Sequence, residues 1–493
     1  MDNESETLSS YSVESTDDDE PALDLDINVL QQLASSRLNR HCIRTRRLTR
    51  GLYNEIYLLQ FDTGPDCIAR LSRDLTHPAT KFASEVATII YVAQNTNIKV
   101  PKVYAWNCTV QNPIKIPYII MERLPGQHLY RIWDDLTFEK KTCVLSQIVD
   151  TLLDLWTKCR FEEIGCLYMS YDSITPSSTF RIGPIVNSLF YTEGRDSIPS
   201  STGPFESLQE FFSALIQKEK KFFEIHGMQE LLEKKINQRS AEIRVADLIK
   251  QLDLLQSKLP NIFDESMDQE PFILVHSDFD AQNILVDCSP VNDDIKIVGI
   301  IDWEFSRTGT LWNLCQYPIW IQRMDEPFIS SNAELQENRE RQKLRDFFYD
   351  EMVAKLGNRS GQILKMKELD KRINDLEDMF IFKIHKFESL ESLLKLFFYR
   401  YGSEAKANNK LFDPIVQLFW SPNLIKVQIP SEKTIDYFLS TDKLSDRTKA
   451  KVPIYYIASV YCELKSKGYN FSWQQVSDIA FHMWKNESKE KFG

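Results

Sequence analysis

The chain has 493 residues, of which 43% are hydrophobic and 26% are charged, an ordinary composition for a globular protein with a sizeable core. Its formal net charge of −12 argues against a nucleic-acid-binding protein or one built around an anionic-membrane surface. Nine scattered cysteines without a C-x-x-C pair disfavour a disulfide framework or a zinc knuckle. No apolar run approaches the roughly 20 residues that span a bilayer.

The amino-terminal segment is rich in Ser, Asp and Glu and poor in apolar residues, so we expect a disordered acidic tail over residues 1–25. It has neither the apolar stretch of a secretory signal nor the basic character of a mitochondrial transit peptide. The expected location is therefore cytoplasmic, with the nucleus as the other open compartment.

Short apolar runs follow the tail. Two of them, 57–61 and 67–71, flank a Thr-Gly-Pro turn and predict a hairpin. Residues 81–93 carry apolar side chains at helical spacing and predict a helix. The runs 100–106 and 118–122 then predict strands.

The tripeptide Leu124-Pro125-Gly126 interrupts this pattern and predicts a boundary between an amino-terminal lobe, 26–125, and a carboxy-terminal lobe, 126–493. Beyond it, apolar residues recur at helical spacing in three stretches between residues 205 and 352, which indicates core-facing helices. The predicted fold class is therefore α+β, with a small β-rich lobe carrying one helix and a large, mainly helical lobe.

A strand-rich island lies within this helical region, at residues 274–304. An apolar strand leads into the polar segment His276-Ser-Asp278-Phe-Asp-Ala-Gln-Asn283, and a second apolar strand leads out of it. A third apolar strand ends at Asp302, which is followed by Trp303 and Glu304. Polar residues at the ends of buried strands are where catalytic groups usually lie.

Phosphoryl transfer explains why these residue types occur together. A carboxylate within hydrogen-bond reach orients the attacking hydroxyl and accepts its proton, a role that suits Asp278. The triphosphate needs a hard divalent cation, which prefers carboxylate and amide oxygens such as those of Asp302 and Asn283. A purely structural alternative is a polar hairpin turn in which Asp278 and Asn283 cap backbone N–H groups.

The pattern His276-x-Asp278-x4-Asn283, followed by Asp302-Trp303-Glu304, resembles the catalytic and metal-binding loops of aminoglycoside phosphotransferases and choline kinases, within the protein-kinase-like superfamily. It is most similar to the fungal phosphotransferase-domain branch. The resemblance implies a bilobal kinase-like fold, ATP and Mg²⁺ as cofactors, Asp278 as the catalytic base, and Asn283 and Asp302 as metal ligands. It assigns His276 a structural role in bracing the loop.

The same resemblance implies nucleotide-binding residues upstream. The segment Gly51-Leu-Tyr-Asn54 resembles the turn that covers the phosphates. Arg70 stands where the superfamily usually places its phosphate-binding lysine, and Glu85 suits the acid that orients this cation. The segment from Met121 to Arg123 resembles the hinge whose backbone contacts an adenine.

Arg70 is the main departure from the family pattern, because an arginine fork and a lysine ammonium are not interchangeable at a tight phosphate site. The structural alternatives are a surface-facing strand residue paired with an acid for Arg70 and a solvated helix charge for Glu85. The basic run from Arg37 to Arg50 is interpreted as a solvated face rather than a nucleic-acid patch.

The predicted function is ATP- and Mg²⁺-dependent transfer of a γ-phosphoryl group to a hydroxyl of a small molecule. A protein acceptor is disfavoured because the Ala-Pro-Glu segment of protein kinases does not follow Asp302, and the chain continues to Trp312 and Pro318. The alternative is a non-catalytic nucleotide-binding scaffold, which Arg70 and the glycine-poor turn favour. Neither a nucleic-acid nor a membrane partner is expected.

Overall fold

The computed structural model describes residues 23–170, 179–192, 194–262, 271–288, 295–310, 317–322 and 332–357, with scattered residues between 430 and 483. Most of the predicted acidic tail and Trp312 lie outside this described part. The chain divides into two compact units. Unit 1 comprises the chain up to Tyr191 together with Ile273–Thr308, and unit 2 comprises Thr192–Phe272 and the chain from Gly309 onward.

Unit 1 begins with helix α1 and contains a five-stranded antiparallel sheet in the order β1-β2-β3-β5-β4. The elements of this part are α1 (Ile27–Leu38), β1 (Cys42–Arg50), β2 (Asn54–Phe61), β3 (Cys67–Ser72), α2 (Thr80–Asn95), β4 (Val103–Asn107) and β5 (Tyr118–Glu122). Asp26 caps α1 by accepting a hydrogen bond from the N–H of Asn28.

Both faces of this sheet are covered, because successive residues of β5 point to opposite faces and join two different buried clusters. On one face, Leu30 and Leu33 of α1 join a buried cluster with Leu59 and Leu71. On the other face, α2 packs its buried apolar residues against β5. These contacts join Phe82 and Val86 to Ile119 and Met121. The sheet therefore fixes the positions of β3 and α2, which carry Arg70 and Glu85.

The rest of unit 1 consists of short strands and one long helix. Its elements are β6 (Gln127–His128), α3 (Phe138–Lys158), β7 (Arg160–Phe161), β8 (Cys166–Ser170), β9 (Thr179–Gly183), α4 (Ser188–Tyr191), β10 (Phe272–Val275), β11 (Ile284–Cys288), β12 (Ile295–Ile300) and β13 (Arg307–Gly309). Strand β11 lies between β12 and β6, and β10 lies between β13 and β7. These two small sheets hold both ends of the segment that follows β10.

The described part of unit 2 is mainly helical, with α5 (Leu208–Glu233), α6 (Gln238–Ile262) and α7 (Asn332–Leu356). Helix α5 begins after Ser207, whose hydroxyl accepts from the N–H of Glu210. Its buried residues, such as Phe211, Phe212 and Leu215, follow the predicted helical spacing, and the helix packs against α6. None of the described helices is both long and apolar enough to cross a bilayer.

The predicted α+β class is confirmed, since a β-sheet region comes first and a mainly helical region follows. Helix α1 was not predicted, so the amino-terminal sheet carries two helices rather than one. Helix α3 was also not predicted, although its buried residues Val144, Ile148 and Leu152 follow helical spacing. The lobe boundary near residue 125 stays a prediction.

Candidate active site

The segment between β10 and β11 is held by His276, which is buried against Trp303 with ring centroids 4.6 Å apart. Its Nε2 donates to the carbonyl of Ile301 at 2.9 Å, and its Nδ1 accepts from the N–H of Asp278 at 3.3 Å. Burial lowers the pKa of His276 below its ordinary value of 6.5, which favours the neutral ring that this pattern requires. The side chain thus connects the Asp278 segment to the strand that leads to Asp302.

Asp278 and Asn283 are joined directly. The Asn283 Nδ2 donates to the Asp278 carboxylate at 2.8 Å and to the Asp278 carbonyl at 2.9 Å. Between them, the N–H of Asn283 donates to the carbonyl of Asp280 and closes the turn. Burial raises the pKa of Asp278 above its ordinary value of 3.8, against the opposing hydrogen bond from Asn283. A carboxylate with a raised pKa is a better proton acceptor near neutral pH.

Asp302 follows β12 in a strained backbone conformation, with a φ of +63°. Trp303, only 1% exposed, fixes this bend by donating from Nε1 to the carbonyl of Ile300 at 3.1 Å. The N–H of Ile301 donates to the carbonyl of Asn283 at 2.9 Å, so the two predicted metal ligands lie on adjacent, hydrogen-bonded segments. A non-glycine residue in this region of φ indicates a position held by its surroundings.

Arg70 projects from β3 into a group of three carboxylates. Its Nη1 lies 3.0 Å from Glu85 and 2.8 Å from Asp302, and its Nη2 lies 2.7 Å from Glu304. Its side chain is 5% exposed, which excludes the alternative of a solvated strand residue. Glu85 is 1% exposed, so it is not a solvated helix charge either.

The electrostatics of this group reflect a surplus of acid. Burial raises the pKa of Glu85 from 4.5 to about 7, with Glu304 and Asp302 adding to the effect and Arg70 opposing it. Burial is the largest single effect on Asp302 and opposes its ionisation, but the charge and hydrogen bond of Arg70, with smaller contributions from His276 and Lys81, together lower the pKa of Asp302 below 3.8. Although burial disfavours the charge on Arg70, the three carboxylates raise its pKa well above its ordinary value.

Two further residues belong to this cluster and were not assigned a role from the sequence. Glu304 accepts from Asn54 Nδ2 at 3.0 Å as well as from Arg70, and it lies 3.2 Å from Lys81 Nζ. Lys81 is buried and also contacts Asp74 at 2.7 Å. The available signal was the position of Lys81, four residues before Glu85 and therefore on the same face of α2.

The predicted phosphate-covering turn is closed by the N–H of Gly51, which donates to the carbonyl of Asn54 at 2.8 Å. A Cβ on Gly51 would meet this carbonyl at an ordinary 3.6 Å, so the turn itself does not require glycine. The buried side chain of Asn54 faces Glu304. The structure thus brings Asn54, Arg70, Glu85 and Asp302 together around one carboxylate cluster.

Met121 and Arg123 of the predicted hinge make their described contacts with residues outside this carboxylate cluster. The Met121 side chain packs with Phe82 and Val86, and Arg123 is exposed with Nη1 3.4 Å from Asp66. Gly126, just beyond the hinge, has a φ of +92°, and a Cβ there would lie 2.7 Å from the carbonyl of Val286. The chain therefore passes close to β11 directly after the hinge.

The donor atoms left at the site fit a hard divalent cation. Because Asn283 uses its Nδ2 to hold Asp278, its amide oxygen is left as a potential ligand, and Arg70 engages only one oxygen of Asp302. Within the described ranges, no three His, Cys, Asp or Glu side chains form a self-contained metal site. A cation here would therefore need ligands from substrate or water, which is typical of Mg²⁺ bound with phosphates.

Comparison with known proteins identifies the family. Residues 44–169 and 197–313 match the phosphotransferase enzyme family, and these ranges contain every residue of the Arg70 and Asp278 clusters. A subtelomeric hrmA-associated cluster protein of Aspergillus fumigatus is 30% identical over 170 residues, 33% of each chain. The altered inheritance of mitochondria protein 9 of Zygosaccharomyces rouxii is 24% identical over 285 residues, 50% of this chain and 45% of that protein. The chain thus spans about a third to a half of the length of these curated relatives.

Solved structures are similar at low identity. The ADP-bound aminoglycoside phosphotransferase APH(2'')-Ib is 13% identical, with 75% of this chain and 97% of that chain covered and a TM-score of 0.40. The aminoglycoside phosphotransferase APH(4)-Ia is 15% identical, with 71% and 98% covered and a TM-score of 0.35.

The expected cytoplasmic location was wrong when judged against the relatives. Several of them, from Candida tropicalis, Zygosaccharomyces rouxii and Yarrowia lipolytica, carry "mitochondrial" in their names. The expectation rested on a segment that lacks the basic character of one type of targeting signal, and such an absence does not determine where a protein resides.

The two ranges that match the family model contain both the Arg70 cluster and the Asp278 cluster. The chain therefore belongs to the phosphotransferase enzyme family.

Proposed function

We propose that the protein is an ATP- and Mg²⁺-dependent kinase that transfers the γ-phosphoryl group to a hydroxyl of a small molecule. The observation that carries this proposal is the pairing of Arg70 with both Glu85 and Asp302, at 3.0 and 2.8 Å. It joins a cation and an acid of the amino-terminal sheet region to the segment that carries Asp302, and this segment is hydrogen-bonded through Ile301 to the carbonyl of Asn283. Phosphoryl transfer depends on this combination of positioning and charge stabilisation.

Each residue then has a defined part in the reaction. Asp278 orients the acceptor hydroxyl and takes its proton, and Asn283 holds the Asp278 carboxylate in place by its 2.8 Å hydrogen bond. Arg70, oriented by its acids, faces the phosphates and balances their charge. Asp302 and the Asn283 amide oxygen would hold the Mg²⁺, which neutralises charge on the phosphates when bound.

A small-molecule acceptor is favoured over a protein. The sequence after Asp302 lacks the Ala-Pro-Glu segment that ends the activation segment of protein kinases. The family to which the chain belongs is also one of phosphotransferase enzymes rather than a protein-kinase family. The chemical class of the acceptor is therefore a metabolite with a free hydroxyl.

A second candidate function is a non-catalytic nucleotide-binding scaffold. One observation favours it, because the pairing of Asp302 with Arg70 at 2.8 Å competes with metal binding by the same carboxylate. An intact Asp278–Asn283 hydrogen bond favours the enzyme, since a scaffold has no use for a positioned base. The two functions differ in turnover, which can be measured.

Substitution of Asp278 tests the catalytic assignment. We expect Asp278→Asn to lower kcat by about a hundredfold to ten-thousandfold, because an amide cannot accept the proton, while ATP affinity stays within about threefold. The assay is ATP consumption in the presence of a hydroxyl-bearing metabolite library, followed by steady-state kinetics on the acceptor found. Asp280→Asn is the matched control, because Asp280 lies in the same turn and only caps the N–H of Gln282. Full activity of Asp278→Asn would show that another group is the base.

Thermal stabilisation tests the nucleotide and metal site without turnover. ATP with Mg²⁺ is expected to raise the Tm of the wild-type protein more than ATP with EDTA, since bound ligands stabilise the folded state. Asp302→Ala should abolish this metal dependence. A wild-type protein whose Tm responds to neither ATP nor Mg²⁺–ATP contradicts both the kinase and the scaffold.

A mitochondrial location is also a proposal, and it rests on the names of the relatives. Fractionation of cells that express the full chain from its natural gene, followed by immunoblotting, measures the location directly. Enrichment with a mitochondrial matrix marker supports the proposal, and exclusive recovery with a cytosolic marker contradicts it.

A further inference from the structure

One carboxylate oxygen of Glu304 receives donors from three separate elements. Glu304 Oε2 lies 2.7 Å from Arg70 Nη2 on β3, 3.0 Å from Asn54 Nδ2 on β2 and 3.2 Å from Lys81 Nζ on α2. The side chain is 13% exposed, so these charge-assisted contacts are partly shielded from water. Glu304 itself follows Asp302 by two residues in the segment after β12. It therefore ties the amino-terminal sheet to the segment that carries the candidate metal ligand.

Lys81 provides a second connection between the same segments. Its ammonium lies 4.3 Å from the ring centroid of Tyr53, in the Gly51–Asn54 turn, and 4.5 Å from that of Phe305, next to Glu304. The two rings also contact each other, with centroids 5.4 Å apart. The turn that would cover the phosphates is thus held to the Asp302 segment by two neighbouring pairs, Asn54 with Glu304 and Tyr53 with Phe305.

The geometry of arginine explains why two acids are needed at Arg70. A lysine ammonium is a point charge that one acid can orient, whereas the guanidinium is a planar fork with two ends. Glu85 lies at the Nη1 end, 3.0 Å away, and Glu304 lies at the Nη2 end, 2.7 Å away. If Asp302 turns from Arg70 toward a cation, these two acids still fix both ends of the fork.

We infer that Glu304 is a positioning residue that orients Arg70 toward a bound triphosphate and anchors the Gly51–Asn54 turn. This second orienting acid allows an arginine to serve where a lysine is usual. The inference rests on the proposed function, because it assumes that nucleotide phosphates bind beside Arg70. It extends that function by assigning Glu304 a role that depends on the identity of residue 70.

A double-mutant cycle on nucleotide binding tests this dependence. Affinity for the non-hydrolysable analogue AMP-PNP is measured by calorimetry, in EDTA and in Mg²⁺, for wild type, Glu304→Gln, Arg70→Lys and the double variant. We expect Glu304→Gln to weaken binding about tenfold in the Arg70 protein, because one end of the fork loses its charged partner. In the Arg70→Lys background the same change should alter affinity by less than about threefold, since lysine has no second end to orient.

Matched variants separate this role from general effects on folding. Glu304→Gln leaves Arg70 beside Glu85 and Asp302, so it creates no unpaired buried cation, and its Tm is checked first. Asn54→Ala removes the hydrogen bond of the turn to Glu304 without changing the charge of the cluster, and should weaken binding by about threefold, whichever residue occupies position 70. Asp287→Asn removes an exposed carboxylate at the end of β11 and should leave the affinity unchanged.

The outcomes distinguish the inference from the proposed function. An equal loss of affinity from Glu304→Gln in both backgrounds overturns the inference, because Glu304 would then act independently of the arginine. An unchanged affinity of Glu304→Gln beside normal wild-type binding overturns it as well, and leaves the kinase proposal intact. Failure of the wild-type protein to bind AMP-PNP in either buffer overturns the proposed function and this inference with it.

Discussion

Arg70 in unit 1 and Arg195 in unit 2 are both buried, at 4% and 1% exposure, yet they are held in different ways. Arg195 and Glu219 match atom for atom, with Nε donating to one carboxylate oxygen at 2.6 Å and Nη2 donating to the other at 2.8 Å. Arg70 instead faces three carboxylates, two of which share its Nη1. The first arrangement balances one charge pair, and the second leaves negative charge in excess.

The difference in charge balance indicates a difference in purpose. The bidentate pair, with the Arg195 guanidinium 4.1 Å from the Phe222 ring centroid, joins the turn before Ile198 to helix α5 and stabilises local architecture. The Arg70 cluster contains the acids Glu85, Asp302 and Glu304, and one oxygen of Glu85 is buried without a hydrogen bond from the described residues. Buried acid in excess costs stability, and such a cost is usual where a further cation or a ligand binds.

The largest effect that we expect on stability comes from Arg195→Met. This change leaves the Glu219 carboxylate, only 2% exposed, without its matched partner, and should lower the free energy of unfolding by about 3–5 kcal/mol. Urea denaturation followed by circular dichroism measures the change. The double variant Arg195→Met with Glu219→Leu should recover much of the loss, because it removes both charges together. A loss below about 1 kcal/mol for the single variant would show that Arg195 and Glu219 are not the architectural pair inferred above.

Arg70→Met should have a smaller effect, about 2–3 kcal/mol, because protons can replace the lost cation. The pKa of Glu85 is already raised to about 7, and removal of Arg70 should raise it further. The pKa of this carboxyl group is higher in the folded protein than its unfolded value of 4.5. Its contribution to the stability of the folded state is therefore greatest below pH 4.5 and is lost as the pH rises to the folded pKa. The cost of Arg70→Met should therefore be greater at about pH 8.5 than at about pH 6.

The control for this pH dependence is Arg195→Met made in a Lys218→Met background and measured under the same two conditions, because Lys218 has a pKa of about 8 and would otherwise titrate in this window. Arg195 and Glu219 pair one cation with one carboxylate through two hydrogen bonds, so the cost of this change should vary less with pH. An equal pH dependence in the two variants would remove the distinction between a balanced pair and an acid-rich cluster.

Part of the candidate active site could be predicted from the spacing of residues in the sequence. The contacts of Asp278 with His276 and Asn283 span two and five residues, so the spacing of the motif was sufficient to predict that they meet. Asp302 follows a strand that pairs directly with β11, which made its approach predictable as well. These segments lie within the ranges that match the phosphotransferase enzyme family, and the catalytic roles of their residues stay predictions.

The rest of the site depends on contacts between residues far apart in the chain. Asn54 and Glu304 are separated by 250 positions, and no local pattern in the sequence pairs them. The role of Lys81 was missed for the same reason, since its partners Asp74 and Glu304 come from different segments. Strand β1 was also not predicted, because it lies at the edge of the sheet and its run of arginines lacks the alternation of a half-buried strand.

The smallest expected effect concerns Lys218, which lies beside Glu219 and donates to the carbonyl of Ile198 at 3.1 Å. Burial lowers the pKa of this ammonium from 10.5 to about 8, with Arg195 adding to the effect and Glu219 opposing it. Between pH 8 and 10.5 the unfolded chain therefore binds more protons at this position than the folded chain does, so the contribution of Lys218 to stability rises with pH. We expect the stability of the wild-type protein relative to Lys218→Met to increase by about 1–2 kcal/mol across this range, as measured by urea denaturation. Lys221→Met, which removes an exposed lysine from the same helix, should show no such rise, and an equal rise in both comparisons would mean that the buried Arg195–Glu219 region does not perturb Lys218.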